Sequence, residues 1–288
     1  MPAPLITLTT DFGSDDAYVA QMKGQILSVC PEARLIDITH SIPAQDVFRA
    51  ALVLAQSAPH FPAQTIHVVV VDPGVGTDRR MLAVELDTQL DGATSLSRQR
   101  FVLPDNGLIS PLAARFGIVA ANAITQSNYW RPSVSSTFHG RDIMGPVAAH
   151  WAAGVAVDQF GPPVTDIHML KWSEPELSPS AARGQVIAID HFGNVITDVP
   201  GAWLQRSGVQ FRGGQVLHVQ IGGHTVSVQP TTTYGERSVG TLVLLVGSHE
   251  LLELAIVGGN AANVLGVSVG SIVRIGMSQD VLPAEHSG

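Results

Sequence analysis

Charge is scarce in this chain: Asp, Glu, Lys and Arg make up only 14% of its 288 residues, against 45% hydrophobic ones. That balance excludes a disordered polyelectrolyte and suits a protein that buries extra surface in an oligomer. Cations are the scarcer sign, 16 Lys and Arg to 24 Asp and Glu, and a net charge of −8 opposes general binding to nucleic acid. Cysteine is almost absent. Cys30 is the only one, which rules out an intrachain disulfide and fits a reducing compartment. Long apolar runs are missing too; stretches such as residues 68–71 and 242–246 are far too short to span a bilayer. The opening MPAPLITLTTDFG has no basic segment followed by an apolar run, so no signal peptide is expected. No internal repeat or low-complexity tract is visible. The expectation is a cytoplasmic protein with neither membrane nor nucleic acid as partner.

What is present points to two unlike halves. A chain of 288 residues lies near the size at which one core stops growing, so one large or two unequal domains are expected. Residues 5–8, 34–38, 65–71, 81–86 and 100–103 read as strands, and residues 17–30 and 46–58 as helices. The run TIHVVVV at 65–71 is β-branched almost throughout, as a strand buried on both faces should be. Strands alternating with helices predict an α/β domain of three layers with a mainly parallel sheet, residues 1–172. Residues 173–184, rich in Pro, Ser and Glu, read as a linker. Beyond them, short strand candidates at 185–189, 195–199, 216–221, 225–228, 241–246 and 271–275 predict a smaller β-barrel or sandwich, residues 185–288. Residues 250–265 offer one helix there, weakened by Gly258 and Gly259.

Two motifs carry most of the chemical content: VDPGVGTDR at 71–79 and TFHGRD at 137–142. They supply a carboxylate, a guanidinium and an imidazole on loop-like backbone, a set suited to gripping and activating a water molecule without a metal. Pro73 stiffens its loop by fixing φ, and Gly74, Gly76 and Gly140 allow close approach of a bound molecule. Ligands in α/β sheets sit beyond the carboxyl ends of strands, so Asp11 and Asp72, each just past a strand end, are expected at one crevice. LTTDFGSDDAYV at 8–19 admits three readings. It resembles the calcium loop of nucleoside hydrolases, although Thr9 and Phe12 replace an aspartate and a proline of that motif. Alternatively, Asp11 accepts hydrogen bonds from a ribose diol. In the third reading, Asp15 and Asp16 simply cap the following helix.

TTDFGSDDAYV, DITHSIPAQDV, VVVVDPGVGTDRR, LPDNGL, STFHGRDI and IDHFGNVITDV, in that order, resemble the S-adenosyl-L-methionine (SAM) hydroxide adenosyltransferase family. Its members are adenosine-forming SAM hydrolases related to the bacterial fluorinase and chlorinase. The resemblance runs from about residue 5 to residue 275. It implies an N-terminal α/β domain and a C-terminal β-barrel in a homotrimer, with sites between the N-terminal domain of one subunit and the C-terminal domain of the next. It also implies attack of water on C5′ of SAM, no cofactor, and a catalytic set of Asp72, Arg79 and His139. Arg80 is an adjacent rival to Arg79 that the family pattern alone decides against.

For substrate binding the resemblance adds Asp190 for the ammonium, Phe192 to stack on adenine and Asn194 for the adenine edge. Ser248 is carried over near the substrate carboxylate and Asn260 and Ala261 beside adenine; Glu253 is carried over as a further substrate-binding residue. Gly140 stands where the halogenating relatives have a small polar residue, and Asp72 where they have tyrosine; both favour water over halide. Gln45 replaces an aromatic wall of the ribose pocket, and His249 replaces an arginine that pairs with the methionine carboxylate. His40 and Asp37 read as structural. The rival expectations are a calcium-dependent nucleoside hydrolase and a SAM- or adenosine-binding module without turnover.

Overall fold

The computed structural model describes residues 3–89, 96–209, 211 and 215–277. The last residues of the expected barrel domain lie outside the described set. The chain divides into two compact units, Met1–Lys171 and Trp172–Gly288.

In the first unit the strands are β1 (Leu5–Thr10), β2 (Arg34–Thr39), β3 (Ile66–Val70), β4 (Met81–Gln89), β5 (Leu96–Pro104) and β6 (Ala120–Ala123). They form one sheet in the order β2-β1-β3-β5-β4-β6. β1 pairs in parallel with β2 and β3, and β3 with β5, while β4 runs antiparallel to both β5 and β6. One reversed strand among six bears out the expected mainly parallel sheet. Helices cover both faces, as they must when both faces are apolar. Val68 and Val70 of β3 face one core with Met22 and Ile26 of helix α1 (Tyr18–Val29) and Val147 and Trp151 of helix α4 (Gly145–Ala152). Val69 and the following Val71 face the other, with Leu54 of helix α2 (Val47–Ser57) and Leu112 of helix α3 (Ser110–Phe116). This alternation is the period of two that a strand imposes on neighbouring side chains.

Asp46 caps α2, its carboxylate accepting a hydrogen bond from Arg49 N at 2.8 Å. The expected capping of α1 by Asp15 and Asp16 is not found. Ala17 occupies the cap position without a side-chain bond, and both aspartates are exposed. The turn after β1 delivers them one and two residues too early to reach the first free amides.

The second unit holds β7 (Glu176–Leu177), β8 (Ala181–Ile189), β9 (Val195–Pro200), β10 (Leu217–Ile221), β11 (His224–Val228), β12 (Leu242–Val246), β13 (Leu251–Ile256) and β14 (Ile272–Gly276). Their order is β11-β10-β14-β8-β9-β13-β12, with β7 beside β8. A bridge between Pro230 and Leu244 draws the two ends of this antiparallel sheet together into a near-barrel. Its interior is packed with Val186, Val195, Leu217, Leu244, Leu254 and Val273, all 1% exposed or less.

The stretch read as a linker, 173–184, contains β7 and the first residues of β8. The helix expected over residues 250–265 is a larger correction. LLELAI is strand β13, buried at its four central positions between β12 and β9. Only the last residues are helical, as α6 (Ala261–Leu265), which follows the short α5 (Ala202–Arg206) and is capped by Asn260. Leu and Glu favour helix on propensity, but pairing on both sides overrides so weak a preference. Gly258, at φ +68, then ends the strand in a conformation that other residues rarely adopt.

Candidate active site

The register of β1 and β3 sets Thr10 beside Val70, so Asp11 and Asp72 leave the sheet at the same carboxyl edge. There they line a cavity of 170 Å³ together with Phe12, Gln45, Thr137 and His139. The sequence expectation of one crevice for both aspartates is met.

The loop between β3 and β4 folds back through successive turns. Val75 N donates to Asp72 O at 3.2 Å, and Thr77 N and Oγ1 donate to Gly74 O at 3.2 and 2.7 Å. These turns swing Arg79 onto Asp72. Arg79 Nε donates to Asp72 Oδ1 at 2.9 Å and Nη2 donates to Oδ2, a two-pronged ion pair whose side chains are 8% and 5% exposed. Arg80 is committed elsewhere, to Asp105 at 2.6 Å and Asp166 at 2.8 Å. The geometry therefore separates the two neighbouring arginines.

LPDNGL braces this loop at both ends, a role that its sequence alone does not signal. Asn106 Nδ2 donates to the carbonyl of Val71 at 2.9 Å, and Asp105 N donates to that of Arg80 at 2.8 Å. Gly76, at φ +78, lets the loop lie directly on the second motif: a Cβ there would sit 2.5 Å from Ser136 O. Gly140 is less tight but still crowded, since a Cβ would come 3.0 Å from Val70 Cγ1. These glycines permit protein to approach protein. Gly140 also lines the cavity.

His139 leads into a π-helical turn, Gly140–Met144, which runs straight into α4. Fully buried Asp142 holds the preceding loop. Its carboxylate accepts from Arg131 Nη1 at 2.6 Å, Arg141 Nε at 2.6 Å and Ser135 N at 2.8 Å. Against the cost of burial, these donors keep its carboxyl well below the usual range. Around the cavity, Phe12, Tyr18 and Phe138 pack as three rings with centroids 5.3 to 5.9 Å apart.

Electrostatics differ among the three expected catalytic groups. Burial pushes the Asp72 carboxyl above its ordinary 3.8, with Arg79 and then His139 pulling it back. Burial, reinforced by Arg79, pushes the His139 imidazole below its ordinary 6.5, and Asp72 and Asp142 oppose that only in part. His139 Nδ1 is buried without a hydrogen-bond partner. At neutral pH the imidazole is thus neutral beside an ion pair, able to take a proton. Asp11 accepts from Gln45 N at 2.8 Å. Among the described residues, no three His, Cys, Asp or Glu side chains form a group able to hold a metal ion, and the calcium-loop aspartates make none.

A second cavity, of 810 Å³, lies in the other unit and is lined by Asp190, Phe192, Asn194, Tyr234, Ser248 and Glu253. Asp190 shapes the IDHFGN turn: Oδ1 accepts from Phe192 N at 2.9 Å and Asn194 N at 2.8 Å, while Oδ2 accepts from Asn194 Nδ2 at 2.8 Å. The turn thrusts out Phe192, which is 73% exposed. Glu253 is buried and receives a 2.5 Å hydrogen bond from Tyr234 Oη. Burial pushes its carboxyl up; the Tyr234 bond pulls it back and Asp190 raises it further. Tyr234 was not foreseen, for a lone tyrosine in TTTYGE gives no signal. Asn260 and Ala261 are not among the lining residues. Asn260 instead caps α6, accepting from Asn263 N at 2.8 Å, and packs so closely on Gly193 that a Cβ there would sit 2.1 Å from its Cγ.

Fold and site together define an α/β enzyme with a barrel appendage and a buried Asp-Arg pair beside a neutral histidine. The family descriptions that match are the SAM hydroxide adenosyltransferase N-terminal domain, over residues 6–161, and C-terminal domain, over residues 184–274. An (R)-S-adenosyl-L-methionine hydrolase of Salinispora tropica is 38% identical over 280 residues, 95% of this chain and 98% of that one. A fluorinase of an Actinoplanes species is 26% identical over 278 residues, 88% and 92% of the two chains. The crystal structure of an uncharacterized conserved protein from Thermotoga maritima superposes with a TM-score of 0.87 at 32% identity, covering 94% of this chain and 99% of that one. This chain belongs to the SAM hydroxide adenosyltransferase family, as its six motifs led us to expect. No helix among the described residues is long and apolar enough to cross a membrane.

Proposed function

We propose that this protein hydrolyses SAM to adenosine and L-methionine by in-line attack of water on C5′. The observation that carries the reading is that Asp72, held in a buried pair by Arg79, lines one cavity with neutral His139, on a chain of this family. The sulfonium is already a good leaving group, so the work lies in the nucleophile, water with a pKa of about 15.7. Asp72, fixed by Arg79, orients the water; His139 takes its proton as the C5′–O bond forms and the C5′–S bond breaks. Methionine departs as a neutral thioether, and the proton passes from His139 to solvent. Asp11 holds the ribose diol. Position and desolvation supply the rest of the acceleration.

The remainder of the substrate falls to the second cavity. A space of 170 Å³ is below the roughly 300–1,000 Å³ of small-molecule sites, whereas 810 Å³ is within it. Phe192 offers a π-face to adenine, Asn194 an amide edge, and Asp190, Glu253 and Ser248 polar groups for the methionyl end; Asn260 and Ala261 support the adenine side through backbone. We infer a cytoplasmic homotrimer in which these groups meet the water-activating cavity of a neighbouring copy, and no cofactor beyond the substrate. Sedimentation would check the trimer. The deciding experiment incubates protein with SAM and EDTA in ¹⁸O-water: label is expected in the adenosine 5′-hydroxyl. Release of free adenine, unlabelled adenosine, or loss of turnover with EDTA would each overturn the reading.

A further inference from the structure

The turn that carries Asp11, residues 10–13, is gripped by the segment that follows β2. His40 contributes two of the holds: its carbonyl accepts Gly13 N at 2.8 Å, and its Nδ1 lies 2.8 Å from Thr10 Oγ1. Ile42 N reaches Thr10 O at 3.4 Å, and Gln45 N binds the Asp11 carboxylate itself at 2.8 Å. On its far side the His40 ring meets Asp37, with Nε2 3.1 Å from Oδ1 but off the line of a well-aligned hydrogen bond. Lys23 Nζ holds the other oxygen of Asp37 at 2.6 Å.

The donors along this chain run in one direction. With Lys23 on one oxygen, Asp37 is an anion facing Nε2, which favours the tautomer that carries its proton on Nε2 and leaves Nδ1 as an acceptor. Thr10 Oγ1 then donates to Nδ1 and keeps lone pairs for Phe12 N, which lies 3.3 Å away. Thr10 is fully buried and the His40 side chain is 13% exposed, so water is a poor substitute for this bond. The fixed turn presents Asp11 and Phe12 to the cavity, and Phe12 packs edge-on against Phe138, the residue before His139, at 5.5 Å.

We propose that His40 is a positioning residue of this enzyme: it clamps the Asp11 turn so that the carboxylate meets the ribose in register. The inference rests on the reading of Asp11 as the ribose acceptor. Without the ring, the His40 carbonyl on Gly13 N and the Ile42 and Gln45 contacts keep the turn folded, but Thr10 loses its side-chain anchor and the turn loosens while the fold survives. A misplacement of about an ångström can cost on the order of a hundredfold.

The test compares His40→Ala, His40→Asn and His40→Gln with wild-type protein, reading adenosine Kd by calorimetry, KM and kcat for SAM, and Tm. His40→Ala should weaken adenosine binding on the order of tenfold or more and raise KM by a similar factor, with a smaller fall in kcat. His40→Asn, whose amide takes the place of Nδ1, should recover most of the affinity; His40→Gln, which reaches the place of Nε2, should not. Unchanged Kd and KM in His40→Ala, or no recovery in His40→Asn, overturns the proposal. If His40→Ala does not fold, Asp37→Asn, which leaves the Thr10 contact but unseats the ring, should still raise KM; a wild-type KM there overturns it equally. Wild-type protein that neither binds adenosine nor consumes SAM would instead sink the functional reading, and amide exchange at Phe12 and Gly13, unaltered in His40→Ala, would then refute the clamp.

Discussion

Replacing Gly76 by Ala tests whether contact between the two motifs sets the geometry of the site. Its φ of +78 is left-handed, which costs an ordinary residue roughly 1–2 kcal/mol. The added methyl carbon would also lie 2.5 Å from Ser136 O, and ordinary contact near 3.4 Å requires a retreat of about 0.9 Å. Ser136 is backbone three residues from His139, and the loop it touches carries Asp72 and Arg79, so the retreat parts the water-orienting pair from the proton acceptor. Strain and overpacking together should lower stability by about 2–5 kcal/mol. A displacement of that size should lower turnover on the order of 10²-fold. The assay is adenosine formation by chromatography, beside thermal unfolding of the same sample. Gly24→Ala is the control, because an added Cβ on that exposed turn of α1 meets nothing within 4 Å and should stabilise the helix by about 0.5–1 kcal/mol. Gly76→Ala protein with wild-type turnover and Tm would refute the argument that the motifs are locked through this glycine.

The acid limb of kcat/KM should have its midpoint below 6.5, where burial and Arg79 hold His139. Arg79→Gln should move that limb to higher pH, by removing a charge that repels the proton, and lower turnover on the order of 10²-fold; an unmoved limb in the pH–rate profile would exclude His139 as proton acceptor. Gly140→Ser should lower Tm by crowding Val70 and should not create halide chemistry, and 5′-chloro- or 5′-fluoro-adenosine detected by mass spectrometry would contradict the second half. Stability should fall in acid through His67, which is fully buried with its pKa lowered to about 3 from 6.5. The unfolded chain binds this proton across that window and the folded one does not, so stability is full above 6.5 and drains toward 3, by about 1.4 kcal/mol per unit. His67→Phe should flatten the dependence of Tm on pH over that interval.

What the sequence makes legible follows from where the information sits. The apolar run of β3 and the ordered motifs carry local signatures, so the α/β architecture, the barrel and the place of Asp72 at a strand end could be read without coordinates. The bracing of residues 71–80 by Asp105 and Asn106 could not, for those contacts span 25 and 35 positions along the chain. Asp142 was visible only as part of a motif. Its role depends on Arg131 and Ser135 arriving from a loop with no pattern of its own. The helix expected from residue 250 failed because LLELAI fits either period over six residues. Only the neighbouring strands β9 and β12 decide it.

The assignment of the proton acceptor turns on how the pair and the imidazole share one buried space. Both carboxylate oxygens of Asp72 already hold Arg79, and protonating that carboxylate would break a buried ion pair, leaving an uncompensated guanidinium at a cost of about 3–5 kcal/mol. Asp72 is therefore a poor place to deposit a proton, even though burial raises its affinity for one. His139 has no such obligation. Its neutral form is the one that burial and Arg79 favour at rest, and when it takes a proton Asp72 and Asp142 offset part of that cost. On the proposed mechanism Arg79 thus has two effects that cannot be separated: it keeps Asp72 ionised to orient water, and it keeps His139 neutral to receive the proton. Lysine at position 79 would retain the charge but lose the two-pronged grip. The Arg79→Lys variant should therefore keep the wild-type acid limb while losing turnover, whereas a limb shifted as far as in Arg79→Gln would show that charge alone does not set the resting state of His139.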